Sequence, residues 1–491
     1  MAMDAVRRIA RNTISLSIAE LVGKLGHFFI FVYIARAMGN VIFGTFNFAY
    51  AFSLIAVVFT DIGINYMLIR EVSKHRNKIG SYIGNSFLIK FMFSIITFII
   101  VIATMNAGNF PDSTKAVVYL ILAYMILRTL CDLLFTVFKA YESMHYEALI
   151  KFLNTIVLVI FIFFAIFQNL GIMAVSITYV AVQSFVFILT FILVIKKFTK
   201  ISFRFDSGLS KEIIKKASPF TLSLIFAGIY FYIDSIMLSL IKGDAAVGLY
   251  SAAYNITLAI LVIPGMYTYA IYPILSRKYA TNILPESNKT VKLIYERSFK
   301  YLYVIGLPIS IGLFVLARQI IVFIYGEGYY GSAIALQILA WFVFMKFLSY
   351  LTGIVLSSID KQYLRMYSQG FSAFVNVGAN LILIPRYGIV GAGIATLFSE
   401  FILFISSHYY VSKYFHKIKI KNIILKPIIA SAAMYAAVYF TPLPTLFRIL
   451  VGIAVYSIVV LALKYLDKQD IIFVKKLIPN KEVQRLIPYE E

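Results

Sequence analysis

The sequence predicts an all-α, polytopic membrane protein, and three observations carry that prediction. The 491 residues are 61% hydrophobic and only 14% charged, more apolar surface than a soluble core can hide. Apolar runs of roughly 18 residues or more recur about fourteen times, each long enough to cross a bilayer as a helix. The net charge of +23 is sorted rather than spread: Lys and Arg collect in alternate links between the runs. That pattern orients membrane proteins and leaves no need for a nucleic-acid partner.

The first run, Ile14 to Ala35, carries Glu20, Lys24 and His27. Their i, i+4, i+7 spacing puts all three on one helix face. An ionisable group at mid-membrane costs roughly 2.5 to 3.5 kcal/mol. Such a face therefore points at a bundle interior or a water-filled cavity, or else Glu20 and Lys24 neutralise each other in a helix contact. Arg7, Arg8 and Arg11 precede the run in the manner of a signal sequence, but the run is too long and no small-residue cleavage site follows, so it reads as an uncleaved first span. The next runs are 43–68, 82–104, 116–138, 148–168 and 171–195, followed by 217–241 and 247–275. The second set is 300–323, 331–357, 364–385, 389–412, 423–441 and 444–466. Asn169, Gly171, Pro385 and Gly388 mark the tightest turns.

With the N-terminus in the cytoplasm, the basic links 69–80, 196–216, 276–300 and 413–422 and the C-terminal tail share one side. About 35 of the 45 Lys and Arg then face the cytoplasm, against Arg36, Lys115, Lys242 and Arg386 outside. The outward links are too short for a catalytic domain. Residues 467–491, with Lys475, Lys476, Lys481 and Arg485, read as an amphipathic tail on the membrane surface.

An internal repeat organises the chain. AMGNVIFGTFNFAYAF (37–52) aligns with IKGDAAVGLYSAAYNI (241–256), pairing Gly39 with Gly243, Gly44 with Gly248 and Tyr50 with Tyr254. QNLGIMAVSI (168–177) aligns with PRYGIVGAGI (385–394), the longer link at 276–300 absorbing the change of offset. Two lobes of six spans follow, 1–206 and 207–416, with 417–491 holding two extra spans and the tail. An even number of spans per lobe makes the repeat parallel, related by an axis along the membrane normal. Substrate sites in that architecture lie between lobes near the midplane.

Other charges inside the runs are Lys90, Arg128, Asp132, Asp234, Arg318, Lys346 and Glu400, with Asp61 toward a run's end. Arg128 and Asp132, one turn apart, form a closed pair or part of a site. Asp234, with Tyr230 one turn back, is a structural carboxylate or an ion site. Lys24 and Lys346 are the sharper candidates, because an unpaired lysine in a span wants an anion or water. Lys90 and Arg318 either join them or snorkel to an interface. Several signals fail. GEGYYG (326–331) lacks the Lys-Ser/Thr of a phosphate loop, and GIVGAG (388–393) lacks the strand and glycine order of a dinucleotide site. The five His show no metal spacing and Cys131 is the only cysteine, so neither a metal nor a cofactor is expected.

The segments YIARAMGNVIFGTFNFAYAF, DIGINYMLIREVSK, DSIMLSLIKGDAAVGLYSAAYNI, IYGEGYYGSAIALQILAW and LIPRYGIVGAGIATLFSE closely resemble the polysaccharide transporter family. That family includes the lipid-linked O-antigen flippases of the multidrug/oligosaccharidyl-lipid/polysaccharide exporter superfamily. The resemblance implies export of a polyprenyl-(di)phosphate-linked oligosaccharide from the inner to the outer leaflet of the cytoplasmic membrane, by alternating access. Membrane lipids and glycan-assembly enzymes are then its partners. It further implies a central cationic cavity, for which Lys24, Arg128, Lys346 and Arg318 are candidates by residue type and depth. Glu20, Asp132, Asp234 and Glu400 are the candidates for proton or sodium coupling. A multidrug/cation antiporter of the same superfamily and a membrane-bound polysaccharide-assembly enzyme are the competing readings.

Overall fold

The computed structural model describes residues 2–72, 78–280, 285–418, 421–465 and 470. The tail with Lys475, Lys476, Lys481 and Arg485 lies outside them, as do 73–77 and 281–284 of the basic links. Among the described residues the regular structure is helical, and twelve helices are long and apolar enough to cross a membrane. One of these, α1 (Ala2–Asp61), contains the first apolar run and most of the second on either side of Gly39. One more span-length helix, α13 (Gln362–Tyr387), is more amphipathic than the rest. Counted that way, the fourteen runs all appear.

The chain continues after α1 through α2 (Ile64–Val72), α3 (Ile79–Ala107), α4 (Asp112–Ala140), α5 (Met144–Phe167) and α6 (Gly171–Lys197). Next come α7 (Ser207–Lys242), α8 (Asp244–Ile260), α9 (Val262–Ala280), α10 (Pro285–Val315), α11 (Ala317–Tyr325) and α12 (Ser332–Ser358). After α13 follow α14 (Ile389–Tyr414), α15 (Lys421–Phe440) and α16 (Thr445–Ala462). Long apolar side chains such as Ile95, Ile99, Phe163, Phe167 and Phe440 are exposed along these helices. Water would not tolerate that surface and a bilayer requires it. This is a multi-pass membrane protein.

The helices form two compact units. The first comprises Met1–Val262, Ile321–Ala335 and Met366–Leu403. Within it the repeat is written into the backbone. Gly39 (φ 77°, ψ 174°) and Gly243 (φ 83°, ψ 173°) adopt the same conformation, one essentially closed to residues with a side chain. The hairpins they begin pack reciprocally. A Cβ on Gly44 would lie 1.8 Å from the carbonyl oxygen of Asp244, and one on Gly248 1.9 Å from that of Asn40. Asn40 and Asp244 are themselves a repeat pair, so one contact is the image of the other. Asp244 closes the seam by accepting from Thr45 Oγ1 and Ser239 Oγ, both at 2.7 Å. Tyr329 OH donates to the carbonyl of Ala35 at 3.0 Å on the same end.

At the C-terminal end of α1, Lys90 is fully buried and donates to Asp61, to Asn65 at 2.9 Å and to Thr129. Its pairing makes it a structural lysine rather than a snorkelling one. The link from α6 to α7 lies along α3, where Gly80 and Gly84 leave room for the carbonyls of Lys200 and Ser202. Asn85, 1% exposed, clamps it by donating to the Arg204 carbonyl and accepting from Asp206 N at 2.8 Å. Asp206 then caps α7, accepting from Leu209 N at 3.0 Å.

The second unit comprises the described parts of Ile263–Ile320, Leu336–Arg365 and Phe404–Glu491. Its apolar centre gathers Val304 and Leu316 of the α10 region with Met434 and Val438 of α15 and Tyr456 and Val460 of α16. Tyr456 OH donates to the carbonyl of Val304 at 2.7 Å. Asp470, 1% exposed, is gripped by Arg297, Lys300 and Tyr301 of α10. The two extra spans are therefore anchored to α10 within this unit.

Candidate functional site

A cavity of about 330 Å³ opens among α1, α4, α5 and α6, all in the first unit. The face predicted on the first run turns into it, since Glu20, Lys24 and His27 line one wall. Gly26, on the same helix, lets α1 approach α5 closely; a Cβ there would meet Thr155 Cγ2 at 2.3 Å. Helix α4 contributes Tyr124, Arg128, Cys131 and Asp132, again at helical spacing. Helix α5 adds Lys151, Asn154 and Thr155, and α6 adds Gln183.

Three cations and two carboxylates therefore share one chamber. Glu20 does not neutralise Lys24; its ion partner is Lys151, 3.9 Å away across the helix contact. Lys151 is held from behind by Glu147, fully buried one turn earlier, at 2.8 Å, and Glu147 also reaches Lys139 at 3.4 Å. Among the described residues no carboxylate comes within ion-pair distance of Lys24 or Arg128. The closed Arg128–Asp132 pair, one of the two sequence readings, is thus absent. Both Lys24 and Arg128 are exposed although they sit in the middle of spans. Arg128 is hydrogen-bonded to Tyr124, a neutral phenol; an exposed charge at that depth with no counter-charge at ion-pair distance implies a wet space that accepts an anion.

The remaining candidates lie elsewhere. Asp234 on α7 is buried in a ring of neutral donors of the first unit. Asn380 Nδ2 and Thr396 Oγ1 donate to it at 2.5 Å and Tyr250 OH at 2.9 Å. Glu400 on α14 is also buried and accepts from Tyr230 OH. Asn376 bridges the two neighbourhoods, donating to Ser399 Oγ and accepting from Asn380. Lys346 belongs to the second unit, 5% exposed, with its Nζ 5.7 Å from the Phe342 ring centre and 5.8 Å from that of Tyr350. Arg318 is in that unit as well, and neither lines the cavity. Among the described residues no group of three or more His, Cys, Asp or Glu side chains is placed to hold a metal ion.

The sequence did not single out Lys151, Asn154, Tyr124 or Gln183 as site residues. Lys151 stands near the start of its run, where a basic residue reads as an interfacial anchor. Neutral polar residues in a span carry no signal until a structure shows what they face.

The fold is the one seen in solved structures of a lipid II flippase and of multidrug exporters. The chain belongs to the polysaccharide biosynthesis protein family, whose model matches residues 9–278; a second family model, MatE, matches 219–382. Among curated relatives, an uncharacterized membrane protein of Methanocaldococcus jannaschii, MJ1068, is 21% identical over 83% of this chain and 84% of its own. The probable low-salt glycan biosynthesis flippase Agl15 of Haloferax volcanii is 24% identical over 83% of this chain and 84% of its own. Among solved structures, the lipid II flippase MurJ in an inward closed conformation superposes with a TM-score of 0.76 at 17% identity, covering 91% of this chain and 98% of that one.

Proposed function

We propose that this protein is a non-enzymatic flippase that carries a polyprenyl-(di)phosphate-linked oligosaccharide across the cytoplasmic membrane. The observation that carries the reading is the pair of exposed cations, Lys24 and Arg128, standing in a chamber inside the bundle with no carboxylate at ion-pair distance. The name of the curated relative Agl15, a probable glycan biosynthesis flippase, supports it.

A diphosphate with its sugars loses water on entering hydrocarbon, which costs more than any lipid tail regains. In the chamber Lys24, Arg128 and Lys151 replace that water, while the polyprenyl chain stays in lipid. With both termini in the cytoplasm, the end bearing Gly39 and Gly243 faces outward. The two six-span lobes, 1–206 and 207–416, then alternate access around the substrate. An interior-negative potential favours outward movement of an anion by roughly 2.3 kcal/mol per charge per 100 mV. Two charges gain roughly 4.6 kcal/mol. Lys346 and Arg318 are the second unit's candidate cations.

The test is leaflet exchange of a fluorescent polyprenyl-diphosphate sugar in proteoliposomes, with and without an imposed potential. Exchange that accelerates with an interior-negative potential is the expected result. No exchange above protein-free liposomes would refute the reading. Asp234, with its ring of oxygen and amide partners, is our candidate for ion coupling. Asp234→Asn is expected to remove any acceleration by a proton or sodium gradient while leaving the potential-driven rate. The carboxylates Glu20 and Asp132 favour one other reading, cation antiport, which predicts uptake of an organic cation in the same vesicles and no lipid movement.

A further inference from the structure

The charged side of the cavity has a task under the proposed function, and its buried side has none. Gln183 lines the cavity and is 2% exposed, yet its Oε1 has no hydrogen-bond partner. His27 lines it too, with a buried Nδ1 that is equally unpartnered. Tyr179, one turn before Gln183 on α6 and fully buried, leaves its hydroxyl unsatisfied. These groups are neighbours: the rings of His27 and Tyr179 stack with centroids 6.5 Å apart, and Tyr124 meets Tyr179 edge-on at 4.9 Å.

Buried polar atoms are almost always paired, so two on the cavity wall, with a third on the ring that stacks against His27, point to a missing partner. Their chemistry says what kind. A carboxamide oxygen, an imidazole nitrogen and a phenol are all neutral, and each exchanges hydrogen bonds with hydroxyl or amide groups. None compensates a phosphate charge; that is the work of Lys24, Arg128 and Lys151 on the exposed side. The cavity lining thus combines exposed cations with a buried neutral amide and imidazole. Resting on the flippase reading, we propose that Gln183 and His27 form a sugar-reading pocket. It takes hydroxyl or amide donors of the saccharide next to the diphosphate, so that a polyprenyl diphosphate without a sugar is moved poorly. A site built to hydrogen-bond a substrate group rejects analogues lacking it far better than an apolar pocket rejects a missing methylene, because its own buried groups are then left unpaired.

The test uses the full-length protein in proteoliposomes with two fluorescent probes, a polyprenyl diphosphate bearing one N-acetylhexosamine and the same lipid without sugar. The wild type is expected to move the glycosylated probe about tenfold faster. Gln183→Leu should slow that probe about tenfold and leave the bare lipid within about twofold, collapsing the preference. Gln183→Met, unbranched like glutamine, repeats the measurement should the leucine variant fail to fold. Equal slowing of both probes, or no change in their ratio, overturns the pocket and leaves the flippase reading standing. A wild type that moves neither probe overturns both.

Discussion

Arg128→Ala is expected to slow leaflet exchange of a polyprenyl-diphosphate sugar by about 30- to 100-fold, with Lys24→Ala close behind. Each side chain stands in the cavity without a carboxylate at ion-pair distance, so neither charge is spent on a structural ion pair. Losing one charge-assisted hydrogen bond to a phosphate costs about 2 to 3 kcal/mol, and each 1.4 kcal/mol is a factor of about ten. The charge balance works the same way. Three cations face two carboxylates in the wild type, and either substitution leaves two against two, a chamber with no preference for an anion. Arg128→Lys should retain part of the rate, since an ammonium keeps the charge but loses the planar fork that grips two phosphate oxygens. Wild-type exchange by Arg128→Ala and Lys24→Ala, measured at equal amounts of reconstituted protein, would remove the anion site. The same assay on Lys346→Ala asks whether the second unit supplies a further cation, which the sequence reading expects.

The helices were legible because a bilayer imposes one rule on every span, and apolar run length reports it directly. The repeat was legible for a different reason. Gly39 and Gly243 hold a backbone conformation that only glycine tolerates, so the sequence keeps the same residue at both places. Half of the cavity was legible too: Glu20, Lys24 and His27 share a helix face whatever surrounds them, and so do Arg128 and Asp132. The other half depends on which helices meet. Lys151 becomes a cavity residue only because α5 packs on α1 at Gly26, and Gln183 only because α6 packs against α4. The pairing of Glu20 with Lys151 rather than Lys24 is the same lesson in one contact. A neighbour on the same helix is visible in sequence, whereas one across a helix interface is made by packing.

Gly44→Val and Gly248→Val are each expected to abolish transport, by a route that touches no charge in the cavity. The hairpins after Gly39 and Gly243 meet with Gly44 on the Asp244 carbonyl and Gly248 on that of Asn40, and the missing Cβ atoms would lie 1.8 and 1.9 Å from those oxygens. No rotamer relieves such a clash, because the offending atoms belong to the backbone on one side and to Cβ on the other. The hairpins must separate, and the hydrogen bond from Thr45 to Asp244 goes with the seam. If this end faces outward, as the distribution of Lys and Arg indicates, a protein that cannot close it cannot return to load at the inner leaflet. The effect should exceed a hundredfold for either glycine alone, since the repeat makes the two contacts images of each other and neither substitutes for its twin. A disulfide between Thr45→Cys and Asp244→Cys, in a Cys131→Ser background, reports the seam: it should form readily with both glycines present and fail with valine at position 248. Full transport by Gly248→Val, or a disulfide that forms equally well in its presence, would show that the two hairpins do not need to meet.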